Sequence, residues 1–281
     1  MSQVIRVLLA DDSPTMRRAL TMLLSQDSRL EVVGTARDGE EVLQMARFLK
    51  PDVLSMDVQM PKLDGLEATR QIMAACPCPI VVVSSHSEDA EMNLSFNAIQ
   101  AGALEMTGKP KTTSEEGLRE WGKGLADLLV KVSQMPLKVP GRPPGRKFAA
   151  PKTEGVQVEI FGLAASTGGP PVLAELLRNL PVGLPIPILI AQHITEGFTG
   201  GFQKWLGRSC ALPVEIAEAG KNLSPGRVYL APDGCHLEVE KGCLRTPPPK
   251  GRLLPFGGPI VPFVGESFWG ASRRGRPDRN G

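Results

Sequence analysis

Short apolar runs that end on a polar residue recur along the first half of the chain. Val4–Ala10 runs into Asp11-Asp12, Val53–Met56 into Asp57, Pro79–Val83 into Ser84, and Leu104–Met106 leads to Lys109. With Glu31–Ala36, these runs alternate with segments of helical period at Pro14–Gln26, Gly39–Leu49 and Gly65–Cys76. Strand-length apolar runs spaced by amphipathic helices predict βαβ units and a parallel sheet. Ser13-Pro14 marks a helix start, an N-cap followed by proline at the first helical position. In an open parallel sheet the strand ends gather along one edge, where ligands bind. Asp11, Asp12, Asp57, Ser84 and Lys109 are therefore expected to converge.

The alternation lapses at residues 134–155, QMPLKVPGRPPGRKFAAPKTEG, which is rich in Pro, Gly and cations and reads as a semi-rigid solvated linker. A second α/β pattern begins at Val156. It has a strand in VEIFGLA, a helix over Pro170–Leu180, a buried strand in PIPILIA, a helix near Gly201–Leu206, and short strands in VYLAP and HLEVE. Beyond Leu244 the chain is crowded with Pro, Gly and Arg and has no sustained period. The expected division is a first α/β domain over 1–133, the linker 134–155, a second, incomplete parallel-sheet domain over 156–245, and an aberrant tail over 246–281.

The 281 residues suit two domains of ordinary size. A net charge of +2 gives no global attraction to nucleic acid, and no helix-turn-helix pattern appears. No apolar run of about eighteen residues or signal-peptide pattern is seen, so a cytoplasmic protein without membrane insertion is expected. The five cysteines lack CxxC spacing, which argues against disulfide and zinc frameworks.

The first cluster carries phosphoryl chemistry. A strand-end carboxylate such as Asp57 can attack activated phosphorus and become an acyl phosphate. Asp11 and Asp12 add hard oxygen ligands for Mg²⁺, Lys109 an ammonium for phosphoryl oxygens, and Ser84 a hydroxyl. The motifs LLADDSPTMRRAL, SMDVQMPKLDGLEATRQI, IVVVSS and GKP closely resemble those of two-component response-regulator receiver domains, across residues 4–132. The resemblance implies a doubly wound, flavodoxin-like fold with a five-stranded parallel sheet. It also implies phosphorylation of Asp57 by a sensor histidine kinase, Mg²⁺ held by Asp11, Asp12 and Asp57, Ser84 and Lys109 reading the phosphoryl group, and a cis Lys109-Pro110 bond. One departure is Met106, where the family usually has an aromatic switch residue.

In the second half, FGLAASTGGPP places Ser166 between a strand and a helix, as in a nucleophile elbow, although Ala164 breaks the strict GxSxG pattern. His193 ends the next strand, where it can serve Ser166 as a general base. His236 and Asp233 read as structural or turn residues, and His86 has no evident partner. FGLAASTGGPPVL, LIAQHITEGFTGGFQKWL and GRVYLAPDGCHLEV resemble chemotaxis receptor methylesterases, in which a receiver controls a catalytic domain. That resemblance implies removal of methyl esters from glutamate side chains of methyl-accepting chemoreceptors and deamidation of receptor glutamines, with Ser166 as nucleophile and His193 as base. The family's third triad member, an aspartate in a GMGxDG-like turn, is not identified. Asp278 has no strand leading to it. A shifted reading frame near residue 246, or a shortened domain, would account for this. The alternative function is then an inactive regulator that accepts phosphoryl groups.

Overall fold

The computed structural model describes residues 4–85, 89–137, 159–240 and 242–248. The first unit alternates β1 (Ile5–Ala10), α1 (Pro14–Leu24), β2 (Leu30–Ala36), α2 (Gly39–Leu49), β3 (Val53–Met56), α3 (Gly65–Ala75), β4 (Ile80–Ser84), α4 (Asp89–Ala101), β5 (Glu105–Gly108) and α5 (Glu115–Ser133). Its five strands are all parallel in the order β2-β1-β3-β4-β5, the flavodoxin-like doubly wound topology. β3 and β4 are buried along their whole length, as central strands covered on both faces must be, and the edge strand β5 is buried as well.

Local chemistry sets the helix starts. Ser13, Asp38, Asp64 and Ser114 each accept a backbone N–H of the first turn, and Pro14 occupies the first helical position of α1. The Lys109-Pro110 bond is trans, against the expectation of cis, since no cis bond occurs among the described residues. Trans is the intrinsically cheaper isomer, and with it Lys109 N–H still reaches the Ser84 carbonyl at 2.8 Å.

The second unit contains β6 (Phe161–Ala165), α6 (Gly169–Arg178), β7 (Ile188–Gln192), α7 (Thr199–Ser209), β8 (Val214–Ile216), β9 (Val228–Leu230), and a β10 (Glu238–Glu240)–β11 (Cys243–Arg245) hairpin. β6-β7-β9-β8 form a second parallel sheet. The three-residue strands β8 and β11 were not expected. The tail beyond residue 248, most of the linker, His86 and Asp278 lie outside the described residues, as does the question of whether the second domain is complete.

The two units share one apolar cluster. Phe96 of α4 stacks on Phe202 and Trp205 of α7 with ring centroids 5.7 and 5.6 Å apart. At the edge, Arg208 Nη1 donates to Asn93 Oδ1 at 3.0 Å. All five cysteines are free thiols.

Candidate functional site

In the 2-1-3-4-5 order the chain leaves β1 toward β2 on one side and β3 on the other, which opens a crevice at their C-terminal ends. Asp11 follows β1 and Asp57 follows β3, and both side chains are buried. Lys109, just past β5, extends its Nζ to Asp57 Oδ2 at 2.7 Å and Asp11 Oδ2 at 3.0 Å. Asp12 completes a carboxylate group with Asp11 and Asp57 whose ligand oxygens lie within 4.8 Å of one another. Three hard oxygen donors at that spacing fit a divalent cation such as Mg²⁺.

Burial pushes the Asp57 carboxyl up to about 6, against the pull of the Lys109 ammonium and with help from the Asp11 charge. Burial also disfavours the Lys109 ammonium, but the two carboxylates outweigh it and its pKa rises. The pocket floor is tight: a Cβ added at Gly65 would lie 2.1 Å from the Asp57 carbonyl oxygen. Thus the chain after Asp57 folds back directly onto the first turn of α3.

Ser84, at the end of β4, is bonded to α4. Its hydroxyl donates to Glu91 Oε1 of α4 at 2.7 Å, and the Ser85 N–H and hydroxyl bind the same carboxylate. Sequence reasoning missed Glu91, which is buried, and also Asp38. Asp38 caps α2 and accepts Lys62 Nζ at 2.6 Å, pinning the loop beyond Asp57 where Lys62 itself has φ 64°. Neither residue ends an apolar run, so the pattern that located Asp57 could not locate them.

The second set of residues is built by strand register. Ala165 of β6 pairs with Gln192 of β7, so Ser166 and His193 leave adjacent parallel strands side by side. His193 N–H donates to the Ala165 carbonyl at 2.9 Å, and Ser166 Oγ lies 3.3 Å from His193 Nδ1. Gly168, at φ 75°, turns the chain into α6, and Gly169 N–H closes the turn on the Ser166 carbonyl at 2.7 Å. Gln192 Nε2 donates to both the Ser166 carbonyl (3.0 Å) and the His193 carbonyl (2.7 Å), tying the two turns together. Asp233 accepts from Gly197 N–H and the Thr199 hydroxyl at the start of α7. His236 N–H donates to the Pro247 carbonyl, and its buried Nδ1 has no hydrogen-bond partner among the described residues.

A family model described as "Response regulator receiver domain" matches residues 7–119, and one described as "CheB methylesterase" matches residues 161–260. Protein-glutamate methylesterase/protein-glutamine glutaminase 3 of Myxococcus xanthus is 48% identical over 265 residues, covering 94% of this chain and 74% of the relative. The Anaeromyxobacter dehalogenans protein of the same name is 40% identical over 273 residues, covering 94% and 79%. The chain belongs to the protein-glutamate methylesterase/protein-glutamine glutaminase family. The response regulator domain of Thermotoga maritima CheB is 34% identical and covers 48% of this chain and 99% of its own, with a TM-score of 0.43. The methylesterase match runs past residue 245, where the apolar pattern lapses, to residue 260. This is a chemotaxis methylesterase by family, a hydrolase under a receiver domain.

Proposed function

We propose that this methylesterase is switched on by phosphorylation of Asp57 and then hydrolyses glutamyl γ-methyl esters, and deamidates glutamines, on methyl-accepting chemoreceptors. The observation that carries the reading is the Ser166 Oγ to His193 Nδ1 approach of 3.3 Å at the ends of two paired strands. With its proton on Nε2, His193 accepts the Ser166 proton while Oγ attacks the γ-carbonyl carbon. It then returns that proton to the departing methoxide, which leaves as methanol. Water attacks the acyl-serine by the same proton exchange and releases a glutamyl carboxylate; for glutamine the leaving group is ammonia. The receiver domain takes residues 1–133, the linker 134–155 and the partial catalytic domain 156–245, ahead of the tail 246–281.

Asp11, Asp12 and Asp57 would hold Mg²⁺, which supplies neutralising charge as a phosphoryl group approaches Asp57. Lys109, already on Asp57, transfers its contact to the incoming phosphoryl oxygens, and Ser84 exchanges Glu91 for the same group. The phosphoryl donor is a chemotaxis sensor histidine kinase, and the compartment is the cytoplasm. Among the described residues no helix is long and apolar enough to cross a membrane.

Methanol release from methylated receptor membranes tests the whole reading. Addition of a small phosphodonor with Mg²⁺ should raise release well above the Ser166→Ala background in wild type and not in Asp57→Asn. Phosphodonor labelling that depends on Asp57, without methanol above that background, would leave an inactive phospho-accepting regulator.

A further inference from the structure

β4 ends between the two strands that carry the phosphoryl chemistry, with β3 and Asp57 on one side and β5 and Lys109 on the other. Lys109 N–H is bound to the Ser84 carbonyl at 2.8 Å, and its Nζ crosses the end of β4 to reach Asp57 Oδ2 at 2.7 Å. A phosphoryl group on Asp57 therefore arrives beside the donors at the end of β4. Those donors are already taken. Ser84, with no exposed surface, donates its hydroxyl to Glu91 Oε1 at 2.7 Å. The Ser85 N–H donates to the same oxygen at 2.6 Å, and the Ser85 hydroxyl binds Oε2.

Glu91 is only 2% exposed, and among the described residues its carboxylate is bonded by hydroxyl and amide donors alone. Burying an acid without a bonded cation is costly. Helix capping accounts for one of these contacts, since a carboxylate in the first turn of a helix often reaches back to a backbone N–H. Capping does not require the Ser84 hydroxyl, yet the same oxygen of Glu91 holds both. A carboxylate and a phosphoryl group also ask for the same partners, because each is an anion that only accepts hydrogen bonds.

We propose that Glu91 is an internal competitor of the phosphoryl group: its carboxylate holds the Ser84 hydroxyl and the Ser85 N–H in the resting receiver, and a group on Asp57 gains those donors only by breaking these bonds. The inference rests on Asp57 as the phosphoryl site and Ser84 as its reader, and adds the residue that sets how tightly the group is held. Competition has two parts. The bonds given up by Glu91 subtract from the bonds made to the phosphoryl oxygens. The carboxylate left behind then faces an added negative charge in a site shielded from water. Both parts lower the affinity of the pocket for an anion, and both vanish with the carboxylate. Glu91 touches no reacting atom and acts through Ser84 and Ser85, so it is a positioning residue.

The test uses the full chain and beryllofluoride, a phosphoryl mimic that binds an aspartate carboxylate with Mg²⁺, titrated by calorimetry. Asp57→Ala gives the background, and urea unfolding shows that each variant is folded. Glu91→Ala should bind beryllofluoride about ten-fold or more tightly than wild type, through the loss of a competing charge-assisted hydrogen bond. The isosteric Glu91→Gln keeps an acceptor oxygen without the charge and should fall between them. In a Ser84→Ala background the gain from Glu91→Ala should shrink, because one of the two contested donors is gone. A purely capping role predicts the opposite sign, since a loosened start of α4 disorders the donors and weakens binding. Weaker or unchanged binding in the folded Glu91 variants would overturn the competition and leave Asp57 standing, as would a gain of full size without Ser84. No binding above the Asp57→Ala background in any variant would overturn the phosphoryl site and the competitor with it.

Discussion

Gln192 carries neither charge nor nucleophile, and for that reason nothing in the sequence pattern singles it out beside His193. Its position in the chain gives only the end of a buried strand; the value of the side chain appears when β6 and β7 pair. Then its one amide nitrogen reaches the carbonyls of both Ser166 and His193. Ser166, His193, Asp11, Asp12, Asp57 and Lys109 were legible because each is a polar residue at or just past the end of an apolar run. Glu91 and Asp38 end no apolar run and leave no such mark, whereas Gln192 ends the run of β7 but bears no reactive group to draw notice. Gln192→Leu keeps the volume and removes both donated bonds. It should destabilise the domain by about 1–3 kcal/mol, and slow fluorophosphonate labelling of Ser166 by more than an equally destabilising core substitution does. Equal slowing in the two would reduce Gln192 to a packing role.

At the scale of elements, β1 to β3 and the first three helices were readable because each presents one apolar face or a wholly buried run. α4 was not, and the reason is physical. It packs on α3 and β4 within the receiver, and Met92 and Phe96 turn toward α7 of the other domain. Apolar residues on two sides blur the helical period that one-sided burial produces. β8 is missed because three residues behind Pro213 give too short a run to show alternation.

The join between β3 and α3 shows how closely elements constrain the site. Gly65 N–H donates to the Val58 carbonyl at 3.0 Å while its Cα faces the Asp57 carbonyl. A methyl at 2.1 Å from backbone oxygen cannot be absorbed by a rotamer change, so α3 must back away. Gly65→Ala should therefore cost about 1–3 kcal/mol in denaturant unfolding, and should also lower phosphodonor labelling of Asp57. Normal labelling in the folded variant would show that the Asp57 loop tolerates the retreat of α3.

Across the whole molecule, the contact of the two domains is set by groups with different responses to the solvent. The Phe96–Phe202–Trp205 stack is apolar and indifferent to pH. Glu105 is not indifferent. Burial first, and the weaker opposing pull of Met106 N–H, Thr167, Lys131 and Gly168, leave its pKa at about 7, above the ordinary carboxyl value of 4.5. A raised carboxyl pKa means that the closed form binds a proton which the open, solvated form releases. Closure is therefore favoured below 4.5 and loses stability as pH rises toward 7, with the loss complete above it. If opening restores the full solvated value, that loss is on the order of 3 kcal/mol, comparable to what a population shift between closed and open forms requires. Small-angle scattering on unphosphorylated protein should show the radius of gyration rising between about pH 6 and pH 8. In Glu105→Gln, which cannot titrate, it should stay level over the same range. A rise of equal size in the variant would assign the pH response to some other group and remove Glu105 from the balance between the two forms.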